Sequence, residues 1–389
     1  MLLHHHTSGN SNRLQSSTLI GVGTGAWSER LLYFYYYLIA KPMKHNTTLS
    51  ILLTIVTAIS SIFILYQLTN KNEKNNGFNR VFLHIKLKEE KEIQFSDLYD
   101  QLVGSYNNKL YFKTNEPGTF LITDSLLDNP DTLTIKLPQL NNLAPAYWTY
   151  IKNNQIHILG GNVPGLITYN LLSNQVSFKS LPFYFTKGIV ISNQTGILKT
   201  TDPKSKRQVM KKYNFISGKN EAENKSLFAS IDDGGFSNDG RIISDEQLNL
   251  YYIHYYKNGV QKLDNNLNTM ASFHTIDTCT TSQIKFTKKT DGNKTVYNLS
   301  APPTYVNATA TIYKDRLYVH SLLKSDNENK ATFLQNSTID MYNKTTGAYQ
   351  GSFHIPNKNG KRLISFYIHQ NKIITLYPNT IVLYTIIKP

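Results

Sequence analysis

Six copies of one short pattern recur along this chain: a turn residue, a polar residue, then an apolar or aromatic strand. Four are plain: Asn108-Lys109-Leu110-Tyr111-Phe112, Asn154-Gln155-Ile156-His157-Ile158, Asp315-Arg316-Leu317-Tyr318-Val319 and Asn371-Lys372-Ile373-Ile374-Thr375. Thr195-Gly196-Ile197-Leu198-Lys199 and Asn249-Leu250-Tyr251-Tyr252-Ile253 are weaker copies. Corresponding apolar positions fall at 110, 156, 197, 250, 317 and 373, in steps of 46, 41, 53, 67 and 56 residues. Four short strands with their turns occupy about 40–50 residues, so the longer steps imply insertions and the period predicts a radial array of four-stranded sheets.

The second half of each unit supports this. Residues 165–170 and 175–178, and again 337–342 and 348–353, read as strand, turn, strand. Sustained helical periodicity is nearly absent after residue 70, and the abundant Asn, Tyr, Thr and Ile suit strands and turns, so the fold class is all-β. The last unit offers only three strands, 363–369, 372–377 and 381–387. The strand pattern at 78–87, FNRVFLHIKL, is expected to supply the fourth and close the ring, removing an edge that would invite aggregation.

Upstream lies Thr47 to Leu68, without a single charge. About 20 apolar residues rising ~1.5 Å each match a bilayer core, so 47–68 reads as a transmembrane helix. The run is longer than the apolar region of a usual signal peptide, and no small-x-small cleavage site follows it, which favours a retained anchor over a cleaved signal. Met43-Lys44-His45-Asn46 ahead of it already makes a complete targeting N-terminus. Translation is therefore expected to begin at Met43, leaving 1–42 untranslated within a leader of 1–46. Residues 69–77 read as a linker and 78–389 as the ring. The lysines and arginines flanking the helix do not fix its orientation. A domain of more than 300 residues translocates largely regardless of charge, so the C-terminal part is expected to be extracytoplasmic, at the periplasmic face.

Phe236-Ser237-Asn238-Asp239-Gly240-Arg241-Ile242-Ile243 looks like the FSPDG-type strand start of propeller blades, with Asn238 where proline is usual. With the repeats, this resembles six-bladed β-propellers of the TolB-like and NHL-like kind. Residues 255–278 make the chain similar to membrane-anchored propeller-like proteins of Bacteroidota. The resemblance implies a fold and no particular reaction, because propellers host lyases, hydrolases, dehydrogenases and scaffolds alike.

Catalytic signatures are missing. The histidines from His84 to His369 lack metal-ligand spacing, Cys279 is the only cysteine, and there is no nucleophile elbow or Walker loop. Gly21, Gly23 and Ala26 mimic a dinucleotide fingerprint, but an apolar span follows them instead of a βαβ unit. No cofactor and no metal are expected, and the tract His4-His5-His6 is not read as a metal site. Two clusters are candidates for a ligand or ion. Asp232, Asp233 and Asp239, near Asp245 and Glu246, gather oxygen donors without EF-hand spacing. His274, Asp277 and Cys279 set an imidazole and a carboxylate beside a thiol. Turn chemistry is the favoured reading of the first and burial of the second.

Of the 41 Lys and Arg, only Arg13, Arg30, Lys41 and Lys44 precede Lys71, so 37 lie beyond the helix with 25 of the 26 acids. Lys204, Lys206, Arg207, Lys211 and Lys212 form a basic patch in the third unit. An exported domain does not meet nucleic acid, so envelope proteins, anionic polymers and the membrane are the expected partners. Eight Asn-x-Ser/Thr sequons fit either secretory glycosylation or chance in an Asn-rich chain. The reading is a membrane-anchored, non-catalytic binding or scaffold protein of the cell envelope. The alternative is a propeller hydrolase or lyase acting on an extracytoplasmic polymer.

Overall fold

The computed structural model describes residues 47–70, 75–95, 101–136, 142–143, 146–292 and 294–387. Residues 1–46, on which the expected start at Met43, the Gly21, Gly23 and Ala26 pattern and His4–His6 fall, lie outside them. Helix α1 (Thr47–Asn70) contains a window, Leu49–Tyr66, with mean hydropathy 2.3, long and apolar enough to cross a membrane. Three of its hydroxyls bond back into the helix. Thr54, Thr57 and Ser61 donate to carbonyls three or four residues back, at 2.8–3.0 Å, which satisfies them without water.

From Asn75 onward the chain is a separate unit, a six-bladed β-propeller of antiparallel four-stranded sheets. After β1 (Lys86–Gln94), blade 1 holds β2 (Gln101–Tyr106), β3 (Lys109–Lys113), β4 (Thr119–Asp124) and β5 (Asp131–Thr134). Blade 2 holds β6 (Tyr147–Lys152), β7 (Gln155–Gly160), β8 (Gly165–Asn170) and β9 (Val176–Ser180). Blade 3 holds β10 (Phe185–Val190), β11 (Thr195–Thr201), β12 (Gln208–Asn214) and β13 (Lys219–Asn224). Blade 4 holds β14 (Gly240–Ser244), β15 (Leu250–His254), β16 (Gly259–Leu263) and β17 (Thr269–His274). A hairpin, β18 (Phe286–Asp291) and β19 (Lys294–Leu299), precedes blade 5, which holds β20 (Asn307–Tyr313), β21 (Arg316–Ser321), β22 (Asn336–Asn343) and β23 (Tyr349–Pro356), with the short helix α2 (Lys330–Gln335) before β22. Blade 6 holds β24 (Ser365–His369), β25 (Lys372–Tyr377) and β26 (Thr380–Ile387), and β1 completes it in the order β1-β26-β25-β24.

The ring closes on β1, Lys86–Gln94, and not on 78–87, which overlaps it only at Lys86 and Leu87. The shift has a physical reason. As the outermost strand of its blade, β1 is KLKEEKEIQ, mostly exposed, and its lysines and glutamates suit a peripheral edge rather than the apolar alternation that marked 78–87. Residues 78–85 have a different task. Phe82 bridges Ser352 of β23 in parallel, with the Ser352 amide donating to Val81 and the Leu83 amide to Ser352, both at 2.8 Å. Arg80, 3% exposed, donates to Asp340 at 2.7 Å, Glu328 at 3.2 Å, Ser321 and the Leu323 carbonyl.

The core lies between blades, in one apolar cluster per junction. Blades 1 and 2 share Val103, Tyr111, Ile156 and Ile167; blades 5 and 6 share Ile339, Phe353, Phe366 and Val382. Blades 6 and 1 share Leu376, Leu383, Phe112 and Leu121, so the seam is apolar like the rest. Middle strands therefore face apolar neighbours on both sides. On β15, Leu250 and Tyr252 pack toward blade 3 and Tyr251 and Ile253 toward blade 5, which makes the strand a continuous apolar run. In an antiparallel meander the first and third turns of each blade lie on one face, the turn face. The second turns and the blade-to-blade connections lie on the other, the connection face.

Candidate functional site

The innermost strands, β2, β6, β10, β14, β20 and β24, surround a cavity of about 560 Å³. Residues 101–103, 186–189, 240–244 and 310–312 line it, with Tyr147, Trp148, Tyr150, Lys152 and Tyr367 from the inner strands and Lys113 and Tyr255 from the ends of second strands. Lys113, Lys152, Lys187 and Arg241 supply four cations to this lining, and among the described residues it contains no Asp, Glu or His. Topology distributes them along the axis. Lys113 ends β3, and Lys187 and Arg241 lie early in β10 and β14, so these three sit toward the connection face; Lys152 ends β6, toward the turn face.

Aromatic rings flank two of the four cations. The Lys113 ammonium stands 4.1 Å from the Tyr147 ring centre, and that of Lys187 5.2 Å from the Tyr255 ring centre. Lys187 also lies 3.4 Å from Asp239, just outside the lining. Tyr150 donates to the Gly188 carbonyl at 2.8 Å, and burial pushes its phenol well above its ordinary value, so it stays neutral. Desolvation lowers the Lys152 ammonium, so a bound anion there would return stability to the charged form. Cations and rings in a partly enclosed space suit a ligand carrying negative charge, and among the described residues the lining offers no carboxylate or imidazole as a general base.

Behind this wall Lys199 of β11 is 1% exposed. It donates to the Asn238 carbonyl at 2.7 Å and the Tyr252 hydroxyl at 3.0 Å, and burial lowers its pKa to about 8. His254 and His320 are buried and held neutral by desolvation, down to about 3 in each case. His157 is fully buried while His369 is exposed, the packed and edge positions expected of strand histidines.

The predicted site residues do not converge. Asp232 is exposed and tied to Lys288 at 2.6 Å and to the Tyr297 hydroxyl. Asp233 is fully buried and accepts from the amides of Gly235 at 2.8 Å and Ser237 at 2.7 Å, which is turn chemistry. Asp239 faces Lys187 and Lys199. His274 is exposed at the end of β17. Asp277 is buried, accepting from Thr275 at 2.6 Å and from the Cys279 amide at 2.9 Å, and burial raises its pKa. Among the described residues, no three His, Cys, Asp or Glu side chains come close enough to hold a metal. The basic patch divides as well. Lys204, Lys206 and Arg207 lie exposed in the β11–β12 turn, whereas Lys211 and Lys212 on β12 face Glu223 and Glu221 across the ladder to β13, at 3.8 and 3.6 Å. Two sequons are spent on structure: buried Asn224 donates to the Leu267 carbonyl and buried Asn307 to that of His254.

The fold and this site define a class: a six-bladed β-propeller with a cationic, aromatic channel, preceded by one helix apolar enough to span a bilayer. No family model and no curated protein matches the chain. Solved structures similar to it include a Bacteroides fragilis NCTC 9343 protein described as exported, with 12% identity over 78% of this chain and 96% of that one, at TM-score 0.48. A DUF4221 family member from Bacteroides vulgatus shows 10% identity over 78% and 98%, at TM-score 0.46. Virginiamycin B lyase from Staphylococcus aureus shows 11% identity over 78% and 100%, at TM-score 0.45. Identities this low speak only to fold, and the six sheets establish that by themselves.

Proposed function

We propose that this protein is a membrane-anchored, extracytoplasmic binding protein of the cell envelope whose channel receives an anionic ligand, such as a segment of an anionic polymer or an acidic stretch of an envelope protein. One observation carries the reading: Lys113, Lys152, Lys187 and Arg241 line the axial cavity together with tyrosines and a tryptophan, without a carboxylate among the described lining residues. A cavity of about 560 Å³ falls within the roughly 300–1,000 Å³ of ligand sites. Low-dielectric walls around like charges also focus the field and speed capture of an oppositely charged partner. The same lining argues against a two-carboxylate or histidine-based reaction at the axis.

The full chain in detergent micelles, titrated with inorganic polyphosphate, poly(glycerol phosphate) and neutral polyvinylpyrrolidone, tests it. Binding of the two phosphate polymers without their breakdown, and none of the neutral polymer, is the expected result. Equal affinity for the neutral polymer, or turnover of either phosphate polymer, overturns it. A C-terminal alkaline phosphatase fusion reports the topology, active if the propeller is extracytoplasmic.

A further inference from the structure

A second cavity, of about 610 Å³, lies on the connection face between blades 3 and 4. The 201–208 turn and the 229–238 connection form its walls, and Thr295 and Tyr297 of the β18–β19 hairpin lie across it. Two wall acceptors, Oδ1 of Asn238 and Oε1 of Gln208, are buried and meet no donor among the described residues. Asn238 is 2% exposed, and its amide nitrogen is already committed to the Ala229 carbonyl at 2.7 Å. Gln208 is hemmed in by Gly235. A Cβ at Gly235 would stand 1.9 Å from Gln208 Nε2, and φ of +89° disfavours a side chain there.

Buried acceptors left without donors are costly and rare, so a cavity that keeps two of them is fitted for a partner that brings donors. A phosphodiester and a carboxylate bring none, and their anionic oxygens would face the negative ends of two amide dipoles. A cation would meet Lys206 and Arg207, while Asp232 in the same lining is already paired with Lys288 at 2.6 Å. Hydroxyl groups satisfy both conditions, because they donate to the amide oxygens and accept from the basic rim. The hairpin is placed to close over such a ligand. Its first strand is exposed throughout, and the hairpin meets the 232–234 segment through the Lys288 and Tyr297 bonds to Asp232 and the packing of the Tyr297 ring on Gly234.

We propose that this cavity is a second binding site, for a polyhydroxylated ligand of the saccharide class, roofed by the β18–β19 hairpin. Calorimetric titration of the full chain in detergent micelles with maltotriose, cellotriose and chitotriose tests it, with polyphosphate titrated in parallel. Binding of at least one trisaccharide is expected. Gln208→Met and Asn238→Leu should each weaken it at least tenfold, with polyphosphate affinity unchanged and the Tm of Gln208→Met not lowered. No trisaccharide binding, as when water alone fills the cavity, overturns the proposal. So does trisaccharide affinity that Gln208→Met leaves intact, whatever Asn238→Leu does to folding. Failure of the polyphosphate arm alone counts against the channel reading and leaves this one standing.

Discussion

Lys199 and Arg80 are both buried cations, held in opposite ways. Lys199 has neutral oxygens around its ammonium and Asp239 only at 4.0 Å, so burial dominates and its pKa falls from 10.5 to about 8. Between those values the unfolded chain keeps a proton that the folded chain has lost, so stability rises with pH across that window. Below pH 8 the full cost, about 3 kcal/mol, is present. Denaturant unfolding at pH 7 and pH 10.5 should show wild type gaining about that much relative to Lys199→Met, and parallel behaviour of the two would refute the assignment. Arg80 is instead fully paired. Charge from Asp340 and Glu328 outweighs burial and raises its pKa. Arg80→Leu strands both carboxylates in the interior, and unfolding should show a loss of about 3–5 kcal/mol; a loss under 1 kcal/mol would mean the network is dispensable. Neither role was legible in sequence. Lys199 closes the fifth residue of a weak repeat and Arg80 sits in an apolar strand pattern, and nothing local says that either is buried.

At the scale of elements the repeat carried most of the fold. The residue 165–170, 337–342, 372–377 and 381–387 strands stand where the pattern put them, because middle strands bury both faces and so read as continuous apolar runs. The long step from 250 to 317 is the β18–β19 hairpin with its connections, anticipated as an insertion without its structure, since FTKKTD is exposed throughout and neither strand carries an apolar period. Closure failed by eight residues for the same reason, a strand of lysine and glutamate. Removing residues 1–74 should leave a cooperatively folding propeller. Removing 1–94 should bare the β26 edge, with Val382 and Tyr384 in the ladder beside it, and give aggregates by light scattering. Equal solubility of the two truncations would contradict closure by β1.

For the whole molecule, charge was legible as a total, and its gathering around the axis was not. The run 204–212 drew attention because its cations adjoin in sequence, yet two of them pair with glutamates. Lys113, Lys152, Lys187 and Arg241 come from four blades, set among apolar or neutral residues at the ends or starts of their strands, and only ring closure turns them toward one axis. The salt dependence of polyphosphate binding to the full chain reads that arrangement directly, comparing wild type with Lys187→Gln/Arg241→Gln. A phosphate polymer held by protein cations loses affinity as a power of salt concentration set by the charges it contacts. The channel account predicts at least tenfold weaker binding at about 0.1 M salt and a shallower slope in the double variant, with Lys204→Gln/Lys206→Gln unchanged. Wild-type affinity and slope in the channel variant, with loss in the loop variant, would contradict it.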